Sequence, residues 1–291
     1  MILMVAVIGG AGRMGSWFAK YFLGRGYEVI ISDINVEKAK DVAKSLNLGL
    51  AKNNIEAARI ADLILVSTPI HVTPAVLSEI MPELRKNKIV AEVSSLKSNV
   101  LPTLREIANR GIKSLSIHPL FGSGARRMTG ERIALIPVSD QLMEENLARR
   151  IFPEAKIIVV DFKIHDEIMA LTLALTHFIN IVFASVVGEE NISLLKSLGG
   201  TTFTLQLAVS EAVMAEDPSL YASIQMDNEY TSKYLSRFMS KAAKLKSIVE
   251  NKDFIGFMEF YKLTQEMISK DEEFTWAYEK MYRALEAFKF F

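Results

Sequence analysis

The 291 residues include no cysteine, which excludes disulfide stapling and thiolate chemistry and leaves His, Asp and Glu as the possible metal ligands. Histidine itself is sparse, with four in the chain. No HxxxH and no carboxylate-histidine cluster at ligand spacing occurs, so no metal is expected. Charge of one sign is also missing, because 34 Lys and Arg balance 34 Asp and Glu; neither a nucleic-acid surface nor an acidic tail is expected. The opening "MILMVAVIGG" lacks the basic region and small-residue cleavage site of a secretory signal. It reads as a buried strand, and a cytoplasmic location is expected. There is no tandem repeat and no low-complexity segment.

Half of the residues are apolar, and the length suits two domains of roughly 100–200 residues each. Up to about residue 161, short β-branched runs alternate with helical periodicity: "MVAVIG", "EVIISD", "LILVSTP", "KIVAEVSS", "SLSIHPLF", "RIALIPV" and "KIIVVD". Near-continuous apolar strands in such alternation predict an α/β, Rossmann-type parallel sheet covered on both faces. From Thr201 onward the only breakers are Pro218 and Gly256, and the pattern is helical. Residues 1–162 are therefore read as a nucleotide-binding domain and residues 163–291 as an all-helical domain, with "HDE" at His165 supplying a cap and an acidic first turn.

The run from Ile168 to Val187 is long enough to span a bilayer, but Thr172, Thr176, His177 and Asn180 interrupt it. A core helix is expected, with no membrane partner. A helix apolar on nearly every face needs cover on every face, and a small helical domain obtains it most easily from a second subunit. A homodimer is predicted.

The first strand ends in "VIGGAGRMG", which contains G-x-G-x-x-G as Gly10, Gly12 and Gly15. In this reading Gly10 permits a tight turn, Gly12 lets the backbone approach a pyrophosphate, and Gly15 allows close helix packing, while the helix start offers N–H groups and positive dipole. Arg13 and Met14 lie within the same helix start. Asp33, at the end of the next strand, is placed to accept both ribose hydroxyls and to repel a 2′-phosphate. NAD is therefore favoured over NADP, with Lys38 and Lys40 as the contrary signals.

Ligands of open α/β sheets sit beyond the carboxyl ends of the strands. Three later strands end there in polar groups: Ser67, Thr68 and Pro69; Ser94, Ser95 and Lys97; and His118. Neutral histidine, with an ordinary pKa of about 6.5, can take a proton from a substrate hydroxyl while hydride leaves the same carbon. His118 is the expected base. Ser95 is read either as a partner in the site or as a cap for the next helix. His71 and His165 read as structural, His165 as a helix cap. His177 and Asn180 share a face of the long apolar helix, where either a ligand carboxylate or a hydrogen bond between subunits would satisfy them.

With these residues in place the sequence resembles the prephenate dehydrogenase family, and most the dehydrogenase part of the bacterial enzyme fused to chorismate mutase. The matching stretches are "IGGAGRMGSWFAKYFLGRGYEV", "STPIHVT", "VSSLKSNVL", "HPLFG", "HDEIMALTLALTHFINIVFA" and "DPSLYASIQM". The resemblance implies NAD-dependent oxidative decarboxylation of prephenate to 4-hydroxyphenylpyruvate in tyrosine biosynthesis, with His118 as the base and Ser95 helping to orient it. It also places Ala212 where the family has a carboxylate-binding arginine, and Thr204 where the fused form has a second. Losing a charge-assisted contact costs about 1.5–3 kcal/mol, so Arg126 or Arg127 in the loop after His118 is expected to take that role, or the substrate differs. A position where some members carry a further histidine is Asn180. Arogenate oxidation, a β-hydroxyacid dehydrogenase and a non-catalytic NAD sensor are the competing readings.

Overall fold

In the computed structural model, which describes residues 4–288, the seven anticipated strands and one short addition form a single sheet. The strands are β1 (Met4–Ile8), β2 (Glu28–Ser32), β3 (Gly49–Leu50), β4 (Leu63–Val66), β5 (Ile89–Glu92), β6 (Lys113–Pro119), β7 (Arg132–Ile136) and β8 (Lys156–Val159). Their order is β3-β2-β1-β4-β5-β6-β7-β8, the doubly wound arrangement with its topological switch between β1 and β4. Strand β3 has two residues, too few to show any periodicity.

All neighbours run parallel except β6 and β7, where His118 lies opposite Ala134 in an antiparallel pair. The sheet is thus mostly parallel, of the Rossmann type expected, with this single antiparallel pair. A parallel return needs a crossover, usually helical, and residues 120–131 are interrupted by Gly122, Gly124 and Gly130 and form no helix. The chain therefore turns back beside its own strand.

Alternate strand residues feed two apolar cores. Val5, Val7, Ile31, Leu65 and Ile117 face α1 (Arg13–Gly24), α2 (Val36–Leu46) and later α6 (Gln141–Ile151). Ala6, Ile8, Ile64, Val66 and Val90 face α3 (Asn54–Ile60), α4 (Thr73–Ile80) and α5 (Leu101–Asn109). Both faces of every central strand are thus withdrawn from water, which is why the strands read as unbroken apolar runs.

Two compact units result. The first extends to Ala170 and includes Ala222–Asn228; the second comprises Leu171–Tyr221 and the residues from Glu229 onward. Helix α7 (Phe162–Met169) is capped by Asp161, whose carboxylate accepts from Lys163 N, so His165 is not the cap expected of it. In sequence α7 is followed by a π-helical stretch, Ala170–Leu175, and then by α8 (Thr176–Val187).

The second unit holds α8, α9 (Ile192–Leu198), α10 (Thr201–Met214), the start of α11 (Pro218–Met226), α12 (Thr231–Glu250), α13 (Phe254–Ile268) and α14 (Ala277–Phe288). Helix α8 packs on α10, and α12 on α13. The helical run Phe162–Val187 is long and apolar enough to cross a membrane, yet only 22% of its most apolar window is buried. Cover on every face does not come from this chain alone.

Candidate active site

The glycine loop fixes the first corner of the site. The residue that needs the left-handed region is Gly9, with φ +79° and Ser67 O only 2.4 Å from where a Cβ would stand; Gly10, expected at that turn, instead abuts Ile31 of β2. Gly15 behaves as anticipated, because a Cβ there would lie 2.0 Å from Gly9 O. A Cβ on Gly12 would meet only Gly9 O, at 3.2 Å, so the outer side of the turn is open to a ligand. Helix α1 starts here with no side-chain cap on its first N–H groups, the arrangement that receives phosphate oxygens.

Asp33 stands just beyond β2. Its Oδ2 accepts from Ala11 N at 2.9 Å and its Oδ1 from Asn35 N at 2.9 Å, tying the glycine loop to the second strand. Helix α2 is capped by Asn35, not by Asp33. Each carboxylate oxygen has a second lone pair, which leaves Asp33 able to accept from a ribose hydroxyl. Lys40, one of the two contrary signals, pairs with Glu37 on α2. Ser67 and Thr68 are half-buried and Pro69 is exposed beyond β4; the Thr68 hydroxyl meets that of Thr73 at 2.9 Å, and Ser94 joins the same group. Arg13 is exposed on the first turn of α1, with Met14 half-buried beside it.

The second corner is built around His118, 5% exposed near the end of β6. Its Nδ1 lies 3.0 Å from His165 Nε2, and His165 Nδ1 lies 2.7 Å from Asp166 Oδ1. Asp166 also accepts from Lys97 N, Ser98 N and the Ser98 hydroxyl. The loop after β5 and the end of β6 are therefore both fastened to the start of α7. Asn228 adds a bond to Asp166 O at 2.7 Å.

Beneath this chain lies a fully buried ion pair. Lys97 Nζ reaches Glu92 Oε1 and Ile117 O, each at 2.7 Å, and Glu92 also accepts from Ser94 N and Ser116 Oγ. Burial lowers the pKa of Lys97, with the Glu92 and Asp166 charges acting in the opposite sense. Burial also pushes His118 well below its ordinary value, reinforced by His165 and the Lys97 charge. His165 is lowered by burial against the pull of Asp166. Asp166 is opposed by burial, but the hydrogen bonds from His165 and Ser98 outweigh it and hold the carboxyl below its usual range. The site thus carries two neutral imidazoles ending on an ionised carboxylate.

Ser95 is half-buried beside this network and makes no side-chain hydrogen bond among the described residues; the N-cap of α5 is Val100, with no side-chain cap bond, so Ser95 does not serve as one. Arg126 and Arg127 are exposed in the loop that follows β6. That loop is held against α1, with Trp17 Nε1 donating to Ala125 O at 2.6 Å and the Trp17 and Phe121 rings 4.9 Å apart. His71 is exposed, its Nδ1 3.2 Å from Ser223 Oγ.

In the second unit, Asn180 donates to Thr176 O and accepts from Gln206 and Ser210, so its amide is engaged within its own subunit. His177 stacks edge-on against Tyr221 at 4.6 Å, and its buried Nδ1 has no partner among the described residues. Burial lowers its pKa. Ala212 and Thr204 are exposed on α10. The arginines of this unit lie elsewhere, Arg237 over the Tyr234 ring and Arg283 paired with Glu279.

Sequence reasoning missed His165, Asp166, Glu92 and the role of Lys97. A signal was present for each. Glu92 falls inside an apolar strand, where an unpaired charge costs several kcal/mol, so a cation nearby was required. "HD" stands inside a helix whose N-cap is already supplied by Asp161, so neither residue was needed as a cap.

Two family models match the chain: the nucleotide-binding domain of prephenate dehydrogenase over residues 18–135, and its dimerization domain over residues 162–263. A probable arogenate/prephenate dehydrogenase of Methanocaldococcus jannaschii is 30% identical over 89% of this chain and 60% of its own length. The T-protein of Haemophilus influenzae is 27% identical over 93% of this chain and 68% of its own. The chain therefore spans about three fifths to two thirds of these relatives. Among solved structures, prephenate dehydrogenase from A. aeolicus, in complex with hydroxyphenyl propionate and NAD+, shares the fold with a TM-score of 0.75 at 17% identity, over 93% of this chain and 98% of that one.

Proposed function

The chain belongs to the prephenate dehydrogenase family, and from that premise we propose that it is an NAD-dependent oxidoreductase that converts prephenate to 4-hydroxyphenylpyruvate and carbon dioxide in tyrosine biosynthesis. The observation that carries the reading is His118, a buried neutral imidazole near the carboxyl end of β6, in the same sheet whose first strand leads into the glycine loop. NAD, when bound, supplies the hydride acceptor. The residues that would hold it are Gly10, Gly12, Arg13, Met14 and Gly15 at the α1 start, Asp33 at the ribose, and Ser67, Thr68 and Pro69 beyond β4. The open side of Gly12 and the uncapped helix start fit that group.

His118 takes the proton of the ring hydroxyl at Nε2, which has no partner among the described residues. The O–H electron pair stays on oxygen as hydride departs from the same carbon. Loss of carbon dioxide returns a pair through the ring to that oxygen, which recovers its proton from His118 as a phenol. No proton is released overall, and aromatisation drives the step. Ser95 orients the hydroxyl. Arg126 and Arg127 are the cations offered to the substrate carboxylates; within the second unit, His177, whose buried Nδ1 has no partner among the described residues, is the polar group left free to meet a ligand, while the Asn180 amide is already engaged.

The protein is further proposed to be a cytoplasmic homodimer formed through the second unit. The experiment is NADH formation with NAD and prephenate, run beside arogenate. Turnover with prephenate should fall by about 100- to 10,000-fold in His118→Asn. Faster turnover with arogenate would reassign the substrate, and equal turnover in His118→Asn would remove the base.

A further inference from the structure

The four polar atoms that follow one another behind His118 admit a single arrangement of protons. Asp166 is ionised and accepts from two backbone N–H groups and from the Ser98 hydroxyl, and an ionised carboxylate only accepts. The Nδ1 of His165, 2.7 Å away, must therefore donate. A neutral imidazole has one N–H, so His165 Nε2 is bare and accepts. His118 Nδ1, 3.0 Å from it, must then carry the hydrogen, and His118 Nε2 is left bare. This is the tautomer a base needs, and it is the minor tautomer of free histidine in water.

We propose that His165 is a positioning residue that both selects the reactive tautomer of His118 and serves as the temporary store for the substrate's proton. The inference rests on the reading of His118 as the base. As the substrate O–H bond breaks and a bond to His118 Nε2 forms, the His118 Nδ1–H bond breaks and a bond to His165 Nε2 forms. His165 is then the imidazolium, with its Nδ1–H on the Asp166 carboxylate, and His118 is neutral. When carbon dioxide leaves, the transfers reverse and the proton returns to the phenol oxygen.

The charges around the pair favour that location. Asp166 from α7 contacts His165 directly, and Glu92 at the end of β5 also attracts charge there. The Lys97 ammonium, from the loop after β5, repels a proton on either ring, whereas among the described residues no carboxylate hydrogen-bonds His118 itself. The positive charge is stabilised one ring away from where it arrives.

The test uses long-range proton–nitrogen spectra of protein labelled in its four histidines, assigned with His118→Asn and His165→Gln, together with pH profiles of kcat and KM. The expected spectra show His118 and His165 both as Nδ1–H tautomers. His165→Gln keeps an acceptor for His118 Nδ1–H and cannot hold the proton, so kcat should fall roughly 10-fold or more with KM for prephenate little changed and the acid limb of the profile displaced. His165→Ala should fall further. An Nε2–H tautomer on His118 in the wild type, or a His165→Gln profile that overlays the wild type, overturns the proposal while turnover stands. Correct tautomers without turnover of prephenate overturn the functional reading on which it rests.

Discussion

The two units treat buried surface differently. In the first, both apolar cores are closed by the chain itself, and the polar groups inside them are paired: Lys97 with Glu92, His165 with Asp166, Lys88 with two carbonyls of the α3 end. In the second, the buried hydrophobic side chains are Ala174, Val187, Leu207, Val213 and Tyr234, while α13 buries none of its residues and exposes Phe254 and Ile255. A unit that encloses its own core can hold charges in fixed geometry, because water is excluded and each group is matched. One that leaves apolar faces uncovered presents surface suited to a second copy. In the proposed function, chemistry belongs to the closed unit and assembly to the open one.

The largest effect that would break this contrast is expected at the buried ion pair. Lys97→Met leaves the Glu92 carboxylate in the core without its cation, and the unfolding free energy should drop by about 3–5 kcal/mol in denaturant titration. A loss below 1 kcal/mol would mean that the closed unit is not held by matched charges. Next in size, Gly15→Ala drives a methyl against Gly9 O and should cost about 1–3 kcal/mol, with weaker NAD binding seen by calorimetry.

In the open unit, Val182 and Val186 lie one turn apart on α8 and are both exposed. Replacing both with Lys should shift sedimentation from dimer to monomer with little change in NAD binding. Retained dimers would place the interface on another face. The smallest effect is that of pH. His118 and His165 are held below their ordinary pKa, so the unfolded chain binds protons first as pH falls below about 6.5. Thermal stability should be level above that pH and decline below it, by no more than about 1.4 kcal/mol per pH unit for each proton.

Much of the closed unit was legible because its signals are local. An apolar run that ends in glycines declares β1, and the acidic Asp33 just beyond β2 follows at the right distance. The reversal of β7 was not legible, since strand direction depends on which side the connection returns. His165 looked like a cap because its neighbours in sequence are those of a helix start. Its partner, His118, is 47 residues away, and no periodicity reports a contact at that separation.

By itself the sequence determined the seven longer strands, the glycine motif, the histidine near the end of β6 and the helical texture of the second half, all of which follow from spacing along the chain. Only the tertiary structure decided that Gly9 takes the left-handed turn, that Lys97 is consumed by Glu92, and that an imidazole and a carboxylate stand behind His118. These depend on which side chains share a dry volume once the sheet is closed, where every donor must find an acceptor.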